Sequence, residues 1–438
     1  MPDLPPIPSL EPQDAQGHQF VFYGDCCSGS AGQPREANFA AVNGAIRRLT
    51  PQPEFLCFIG DHIVGMTTDY DDLRRQWRYW LDHEMAWLDQ QATPIYHVTS
   101  NHNTYDAPSE DIWREVFPQI PRNGPPGQEG LSYFVRRGDL LLVAANTSYS
   151  GLGGYGHVES RWLDQVLRAN ADAKRKLVLG HHPVFPVNGY DETPLWCIEP
   201  EQGQAFWRTL VEHDVLAYLC SHIIAFDVQA HEGVLQVTSG GAGTEYGPGG
   251  FMPGPVEYHH AVQASVDARG LRYQVLDVEG RARETLEWPL VVPPVSEWRD
   301  GAGEWEGQDG SRVSFFRLSG TAPRGDEQTL ISGFSTPNEP AVVKIGLEGE
   351  PMRLTVHMTM GTDDTQRWDG PPLPPDQGFD LRLAIHRDMG PGGVLWREDE
   401  DSAWSSLSSS SARGAADVAW PARWVVGEDV ADLRVKWR

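Results

Sequence analysis

Side chains of the types that bind transition metals follow five short apolar runs in this sequence. They are Asp25, Asp61, Asn101, His181 and His222. In an α/β fold, ligand-binding groups gather outside the carboxyl ends of the strands, so these side chains can converge on a single site. A set of carboxylate, amide and imidazole groups suits manganese, iron or zinc better than calcium or copper(I). The sequence therefore predicts a transition-metal site.

The elements that must position this site alternate between strands and helices. From residue 20 to about residue 278, apolar runs are separated by amphipathic stretches, of which residues 70–90 form the longest. This alternation predicts a layered α/β domain. The last runs follow one another without helices, which predicts antiparallel or mixed pairing there. We expect a catalytic domain over residues 18–288, preceded by a flexible arm at residues 1–17.

A second domain is expected after the Pro-rich stretch at residues 289–294, because such stretches mark linkers and boundaries. Beyond it lie short strand-like runs separated by Gly, Pro and Asp. This pattern is typical of a β-sandwich and predicts an accessory domain over residues 295–438. The fold class expected for the whole chain is α/β with a C-terminal all-β domain.

The charge of the chain restricts its partners. The formal net charge is −26 over 438 residues. Such a surface repels nucleic acids and anionic membranes, so we expect neither as a partner. A small anionic substrate remains compatible, because a bound metal reverses the local field. We expect a small-molecule substrate and leave open a homo-oligomeric assembly.

The cysteines and the first residues indicate the compartment. The chain has five cysteines, an odd number, and two of them, Cys26 and Cys27, are adjacent. A disulfide framework is therefore not expected, and a reducing cytoplasm is favoured. Residues 1–16 lack the basic and apolar regions of a signal peptide, and no apolar run is long enough to cross a bilayer.

The order of the chemical motifs resembles a known superfamily. In chain order they read Asp25-Cys26-Cys27, Gly60-Asp61, Ser100-Asn101-His102-Asn103, His181-His182-Pro183 and Ser221-His222-Ile223-Ile224. This order resembles the calcineurin-like metallophosphoesterases, which include the purple acid phosphatases. Their pattern is Asp-x-His, Gly-Asp, Gly-Asn-His-Asp/Glu, His near Pro, and Gly-His-x-His. The resemblance covers residues 20–280.

The resemblance implies an αββα sandwich that holds a two-metal phosphoesterase centre. Asp61 would bridge the metals, and Asn101, His181 and His222 would complete the second metal site. His102 would be a catalytic histidine outside the ligand set, protonating the leaving group or steadying phosphate charge. Asp25 would belong to the first metal site.

The departures from the pattern fall mostly on that first site. Position 27 holds Cys and position 224 holds Ile where the superfamily places histidines, and Ile224 cannot bind a metal. The purple acid phosphatases place a tyrosine at the position of Val64. Two motif glycines are Ser100 and Ser221 here, and Asn103 replaces an acid.

Several alternatives stay open on the sequence. Cys27 is either a thiolate ligand or an inert replacement. His62 either compensates as a ligand or supports the site without binding metal. The leading function is hydrolysis of phosphate mono- or diesters by metal-activated water, using one or two ions of Fe, Mn or Zn. The alternatives are an iron-dependent, oxygen-activating or other non-phosphatase enzyme and a non-catalytic binding protein with a decayed site.

Overall fold

The chain divides into two compact units. The computed structural model describes residues 4–187, 196–245, 258–301, 303–307, 311–325, 327–336, 339–360, 364–409, 418–427 and 432–438. The first unit comprises Met1–Asp227 and Val234–Pro289, and the second comprises Val228–Gly233 and Leu290–Arg438. The main division lies at the Pro-rich stretch. The assignment of Val228–Gly233 to the second unit has no counterpart in the boundaries expected from the sequence.

The strands before Leu290 form two large sheets and a short pair. They are β1 (Ile7–Pro8), β2 (His18–Tyr23), β3 (Leu49–Thr50), β4 (Phe55–Phe58), β5 (Ile95–His97), β6 (Tyr133–Arg137), β7 (Leu140–Ala144), β8 (Arg175–Leu179), β9 (Ala217–Cys220), β10 (Phe226–His231), β11 (Val234–Ser239), β12 (His260–Asp267), β13 (Gly270–Asp277) and β14 (Ala282–Trp288). One six-stranded sheet has the order β14-β13-β12-β2-β4-β5, and the other has the order β10-β11-β9-β8-β7-β6.

The strands that precede the metal-type side chains each run parallel to at least one neighbour, although β2 also pairs antiparallel with β12. In one sheet β2, β4 and β5 run parallel, and in the other β7, β8, β9 and β11 do. Strands β12, β13 and β14 pair antiparallel, as expected for runs that follow one another without helices. The parallel strands therefore send their carboxyl ends to a common edge of each sheet.

Helices cover an outer face of each sheet. They are α1 (Pro34–Ile46), α2 (Tyr70–Tyr79), α3 (Ala107–Val116), α4 (Ser160–Ala169) and α5 (Pro200–Glu212). In α4 the buried Trp162, Leu163 and Val166 form one apolar face that packs with α5 and the strands of the second sheet. On the first sheet, Phe39 of α1 contacts Phe58 of β4. This is the α/β sandwich that the sequence predicts.

The long helix expected over residues 70–90 is shorter than predicted. Helix α2 ends at Tyr79 and continues as a π-helical turn over Trp80–Glu84. Trp80 is fully buried and lies edge-on to Phe58. A π-helical turn inserts an extra residue into a helical turn, a geometry that hydrophobic spacing alone does not reveal.

The N-terminal segment is not the free arm expected over residues 1–17. Its described part, from residue 4, includes β1, which pairs in parallel with β3. The Gln13 backbone donates to the Asp267 carboxylate over 2.8 Å, and Asp14 pairs with Arg175 at 3.0 Å. The described part of this segment is therefore held in place by backbone and side-chain hydrogen bonds.

The second unit is a β-sandwich. Its strands are β15 (Arg299–Gly301), β16 (Glu304–Glu306), β17 (Val313–Thr321), β18 (Gln328–Phe334), β19 (Val343–Glu348), β20 (Arg353–Met360), β21 (Asp364–Pro372), β22 (Gly378–His386), β23 (Val394–Arg397), β24 (Ser405–Ser406), β25 (Ser408–Ser409), β26 (Arg423–Val426) and β27 (Arg434–Trp437). They form a six-stranded sheet, β15-β27-β17-β22-β23-β24, and a seven-stranded sheet, β16-β26-β18-β19-β20-β21-β25.

One apolar core joins the two sheets of this unit, and it includes Phe316, Leu383, Trp368 and Trp424. The β-rich C-terminal region expected from the sequence is therefore confirmed. Among the helices of the described residues, none combines the length and apolar character that a membrane span requires.

Candidate metal centre

The predicted site residues lie just beyond the carboxyl ends of parallel strands. Asp25 follows β2, Asp61 follows β4, Asn101 follows β5, His181 follows β8 and His222 follows β9. Because these strands belong to both sheets, side chains far apart in sequence meet at one place. The structure brings together Cys27, Asp61 and His102 in one group and Asp61, His181 and His222 in another.

The backbone at this edge adopts an uncommon conformation. The φ angles of Asp25, Cys27, Asp61 and His222 are 65°, 41°, 49° and 70°. Left-handed φ values are unfavourable for residues with a Cβ and concentrate at functional sites. Glycine is required next to them at Gly60, since a Cβ there would lie 2.2 Å from the His181 Nδ1 atom. The strand ends thus turn sharply and direct their side chains inward.

Asp61 lies between the two groups. Its Oδ1 atom is 3.3 Å from His181 Nε2, and its Oδ2 atom is 3.8 Å from His102 Nε2. The Cys27 Sγ atom is 3.7 Å from the same Oδ2. Because each carboxylate oxygen faces a different group, Asp61 is placed as a bridging ligand for two ions would be.

In the group around His181, several electron-pair acceptors point at one another. The His181 Nδ1 atom is 3.1 Å from the Ile59 carbonyl oxygen, so Nδ1 carries the proton and Nε2 presents a lone pair. That Nε2 is 2.7 Å from Asn101 Oδ1 and 3.2 Å from His222 Nδ1. Lone pairs held this close require a cation or a shared proton between them.

The group around Cys27 lacks the imidazoles of the superfamily pattern, and Ile224 contributes no donor atom. Cys27 is buried at 4% exposure, and Asp25 is fully buried. The Asp25 Oδ2 atom accepts the His222 backbone N–H over 2.9 Å. Its Oδ1 atom is buried and has no hydrogen-bond partner among the described residues. An orphaned carboxylate oxygen beside a thiol is a further open position for a cation.

His102 lies close enough to Cys27 and Asp61 to form a candidate metal-binding group with them. Its Nδ1 atom is 2.7 Å from the Val64 carbonyl oxygen, so Nδ1 donates and Nε2 presents its lone pair toward Asp61. Its side chain is 29% exposed, unlike the buried His181. It can therefore reach both the ligand cluster and a bound substrate.

The two carboxylates have opposite pKa shifts. Burial, followed by the charge of Asp61, raises the pKa of Asp25 well above its ordinary value. For Asp61, burial also acts to raise the pKa, but His102, His181 and His222 outweigh it and lower the pKa. Burial is the main cause that raises the pKa of the Cys27 thiol, with Asp61 and Asp25 adding to it. A cation bound at this site would favour ionisation of the Asp25 and Cys27 side chains.

The residues fit a transition metal. The orphaned Asp25 oxygen, the adjoining Asp61 carboxylate and the convergent lone pairs of Asn101 and His181 are all relieved by a cation. Their oxygen and nitrogen types agree with the ligand preferences of zinc, manganese and iron.

His62 has no ring nitrogen left for a metal. Its Nδ1 atom is 2.8 Å from Asn103 Oδ1, and its Nε2 atom is 3.1 Å from His97 Nδ1. Its ring lies among aromatic side chains, including Trp77 and Trp80. Burial lowers the pKa of His62 to about 3, so the ring is neutral. It supports the loop after β4 and does not ligate.

Two serines that stand where the superfamily pattern has glycine, Ser100 and Ser221, form hydrogen bonds within the site. The Ser100 hydroxyl accepts the Asp61 backbone N–H over 2.8 Å. The Ser221 hydroxyl donates to the Ile59 carbonyl over 2.7 Å and is 3.1 Å from His181 Nδ1. These serines orient Asp61 and His181 where the pattern has glycine.

Polar side chains outside the metal-site motifs also lie near the site. The Thr244 hydroxyl donates to the Asp25 carbonyl over 2.6 Å, and the Thr147 hydroxyl is 2.9 Å from His182 Nδ1. Both residues lie in loops, and only the fold brings them to the strand ends.

No family model matches this sequence, and no curated protein matches it. Solved structures resemble it over about three fifths of its length. One is a purple acid phosphatase from yellow lupin seeds, with 14% identity and a TM-score of 0.46, covering 63% of this chain and 54% of that chain. Another is a dimetal phosphatase from Danio rerio, with 16% identity and a TM-score of 0.41, covering 60% of this chain and 96% of that chain. A third is GAP50, the anchor in the inner membrane complex of Plasmodium, with 12% identity and a TM-score of 0.42, covering 62% of this chain and 88% of that chain.

The chain thus spans about half the length of the lupin protein. The two phosphatases belong to the superfamily that the motif order resembles. At this identity and TM-score, these likenesses establish no activity for the present chain.

Proposed function

We propose that this protein is a metal-dependent hydrolase of phosphate mono- or diesters. The observation that carries the proposal is the convergence of the Asp61, Asn101 and His181 acceptor atoms within 2.7–3.3 Å. Buried acceptors do not approach this closely without a cation or a proton between them. The ordered motifs and the inward-directed strand ends support the same reading.

Two half-sites would hold the ions. Asp61, Asn101, His181 and His222 form the complete half-site, and Asp25, Cys27 and Asp61 form the altered one. Bound ions would polarise a phosphate oxygen and lower the pKa of an attacking water. The protein's own residues orient this centre, since Ser100 positions the Asp61 backbone and Ile59 fixes the His181 tautomer.

His102 is proposed to act on the substrate. The Val64 carbonyl holds its ring, the side chain is 29% exposed, and its Nε2 atom lies 3.8 Å from Asp61 Oδ2. In its protonated form, Nε2–H can donate to a phosphate oxygen or transfer a proton to the leaving group. The net charge of −26 does not oppose a small anionic substrate once cations occupy the site.

The proposal is tested by assaying the purified protein with para-nitrophenyl phosphate and bis-para-nitrophenyl phosphate in the presence of Mn²⁺, Zn²⁺ or Fe²⁺. We expect metal-dependent release of nitrophenol that a chelator abolishes. Asp61→Asn should remove the activity, and Asp164→Asn, which lies on α4, is the matched control. A metal-loaded protein that hydrolyses neither substrate, but shows a visible iron absorption band, would contradict the proposal and favour a redox enzyme.

A further inference from the structure

Four basic side chains lie in one row across a sheet of the second unit. Arg317 of β17 is directly opposite Lys436 of β27 on one side and Arg382 of β22 on the other. Arg382 is in turn directly opposite Arg397 of β23. The row thus crosses four adjacent strands without interruption. Three strand spacings of ~4.8 Å make it roughly 14 Å long.

A row of like charges is unfavourable in an isolated sheet, because cross-strand neighbours lie close enough to repel. Successive side chains of a strand point to opposite faces of the sheet, and this alternation shows which face carries the row. Phe316 and Leu318 flank Arg317 and are buried in the core, and Leu381 and Leu383 flank Arg382 in the same way. The four basic side chains therefore occupy the opposite face of the sheet.

The carboxylates near the row are shared between two basic groups or exposed. Asp380 pairs with Arg317 at 2.7 Å and with Arg382 at 3.0 Å, so a single carboxylate serves two guanidinium groups. Glu400 lies 3.9 Å from Arg382 and is 61% exposed. Asp300 lies 3.6 Å from Lys436 and is 85% exposed. Exposed pairs of this kind contribute little and can be exchanged for a ligand.

The acidic segment after β23 also faces the row. Burial, followed by the charge of Arg382, lowers the pKa of Arg397, while Glu400, Asp399 and Asp401 act to raise it. The Arg397 Nη1 atom donates to the Glu400 carbonyl over 2.8 Å. Its Nε atom is buried and has no hydrogen-bond partner among the described residues.

A cavity of about 390 Å³ opens onto the row. All four basic residues line it, together with Glu400, the apolar segment that begins at Leu290 and Trp298. The Trp298 indole N–H donates to the Pro293 carbonyl, which holds the ring at the cavity wall. Arg382 is 6% exposed, so its guanidinium forms part of a built site and not of a mobile surface. The volume is within the range of small-molecule sites.

We propose that this cavity binds a small molecule that carries two or more oxyanion groups, of the phosphate or the carboxylate type. Planar guanidinium groups bind both kinds of oxyanion through paired hydrogen bonds, and adjacent cations one strand apart can each bind one group. An oxyanion ligand can take the place of the exposed Glu400 and Asp300 carboxylates. The apolar wall at Leu290 and Trp298 accommodates its carbon skeleton or excludes water. The site does not depend on the function proposed for the metal centre.

The test is isothermal titration of the full-length protein, as purified, with tripolyphosphate and separately with citrate. We expect a binding event whose affinity falls at least about tenfold in Arg317→Gln and in Lys436→Gln, which corresponds to about 1.4 kcal/mol. It should also weaken as ionic strength rises. Preference for one probe identifies the oxyanion type.

Arg367→Gln is the matched control, because Arg367 is a half-exposed arginine that is paired with acids on the other sheet of the same unit. It should leave the affinity unchanged. Arg382→Gln is expected to abolish binding, but its burial can impair folding, so Arg317→Gln and Lys436→Gln decide the matter. If neither probe binds, or if every binding event survives in both variants, the proposal is wrong.

Discussion

At the scale of single residues, the two halves of the candidate centre differ in how many of the superfamily's ligand-type side chains they contain. Asp61, Asn101, His181 and His222 are all present, and a backbone carbonyl and serine hydroxyls hold His181 and the Asp61 backbone. On the other side, Asp25 has an orphaned oxygen and Cys27 replaces an imidazole. We therefore expect unequal affinities for the two ions.

Replacing His181 or His222 with Ala should remove the tightly bound metal, because each change takes one donor from the complete half-site. Elemental analysis of the purified variants measures this loss. His213→Ala is the control, since His213 is bound to Asp164 at the end of α5, outside the cluster. Full metal occupancy in either site variant would show that the ligand set is misassigned.

His102→Ala should retain metal and lose turnover, with a fall in kcat on the order of 10²–10⁴ expected for a lost general acid. The measurement is metal content together with kcat on an aryl phosphate. Loss of the metal itself would instead make the His102 Nε2 atom, 3.8 Å from Asp61, a ligand of the Cys27 group.

Cys27 decides what the altered half-site does. If its thiolate binds metal, Cys27→Ser should lower the metal content or change the absorption spectrum, whereas Cys197→Ser, outside the site, should not. Replacing both Cys27 and Ile224 with His should create the imidazole ligands of the superfamily pattern and raise metal uptake to two ions. An unchanged metal content in both experiments would mean that this half-site stays empty.

The sequence indicates where these side chains lie, because each follows an apolar run and the structure has each run as a strand. Their role as metal ligands stays a prediction. The sequence left the role of His62 open, since a histidine after a bridging aspartate looks the same whether it faces the cavity or the interior. The hydrogen bonds of both His62 ring nitrogens and its packing against Trp77 and Trp80 distinguish the two. The contacts of Thr244 and Thr147 could not be predicted, because the sequence does not show which loops the fold brings to the strand ends.

At the scale of secondary-structure elements, the π-helical turn after α2 has a chemical consequence. It places Glu84 against the Ser28 hydroxyl and the Gly29 backbone N–H, just beyond Cys27. Burial raises the pKa of Glu84 to about 7, although these two hydrogen bonds act to lower it. The folded state therefore favours the protonated carboxyl group of Glu84.

Glu84 should make stability depend on pH. Its pKa is higher in the folded protein than the ordinary value of 4.5, so the stabilisation is complete below about pH 4.5 and is lost as the pH rises through about 7. Glu84→Gln, which cannot ionise, should melt at a higher temperature than the wild type at pH 8 and at a similar temperature near pH 5. Calorimetry at several pH values measures the difference.

The control for this experiment is Glu115→Gln on α3, where the carboxylate is 59% exposed. Parallel melting curves for the wild type and the Glu84 variant across this pH range would contradict the prediction. This arrangement could not be predicted from the sequence, because the amphipathic pattern of residues 70–90 is also that of an uninterrupted α-helix.

At the scale of the whole molecule, the main boundary was predictable from composition but a short excursion was not. The Pro-rich stretch coincides with the division at Pro289. Val228–Gly233, however, belongs to the second unit, where the Ala230 N–H donates to the Ser406 hydroxyl over 3.0 Å. A single strand, β10, thus contributes residues to both units. No feature of the sequence around residues 226–233 indicates this change of unit.

A fragment ending at Pro289 should keep the metal centre, because every proposed ligand lies in the first unit. We expect metal content equal to that of the full chain and a lower melting temperature, since residues 228–233 lose their hydrogen-bond partners. Elemental analysis and circular dichroism of the fragment measure both. A folded fragment without metal would show that the second unit is needed to form the site.

The left-handed backbone at positions 25, 27, 61 and 222 bears on how this chain would evolve if its activity were no longer selected. A left-handed residue with a Cβ costs about 1–2 kcal/mol, and glycine avoids this cost. Selection for thermal stability alone should therefore enrich Cys27→Gly and His222→Gly, which relax the loops and discard the chemistry. Retention of these side chains under such selection would mean that they stabilise the fold in their own right.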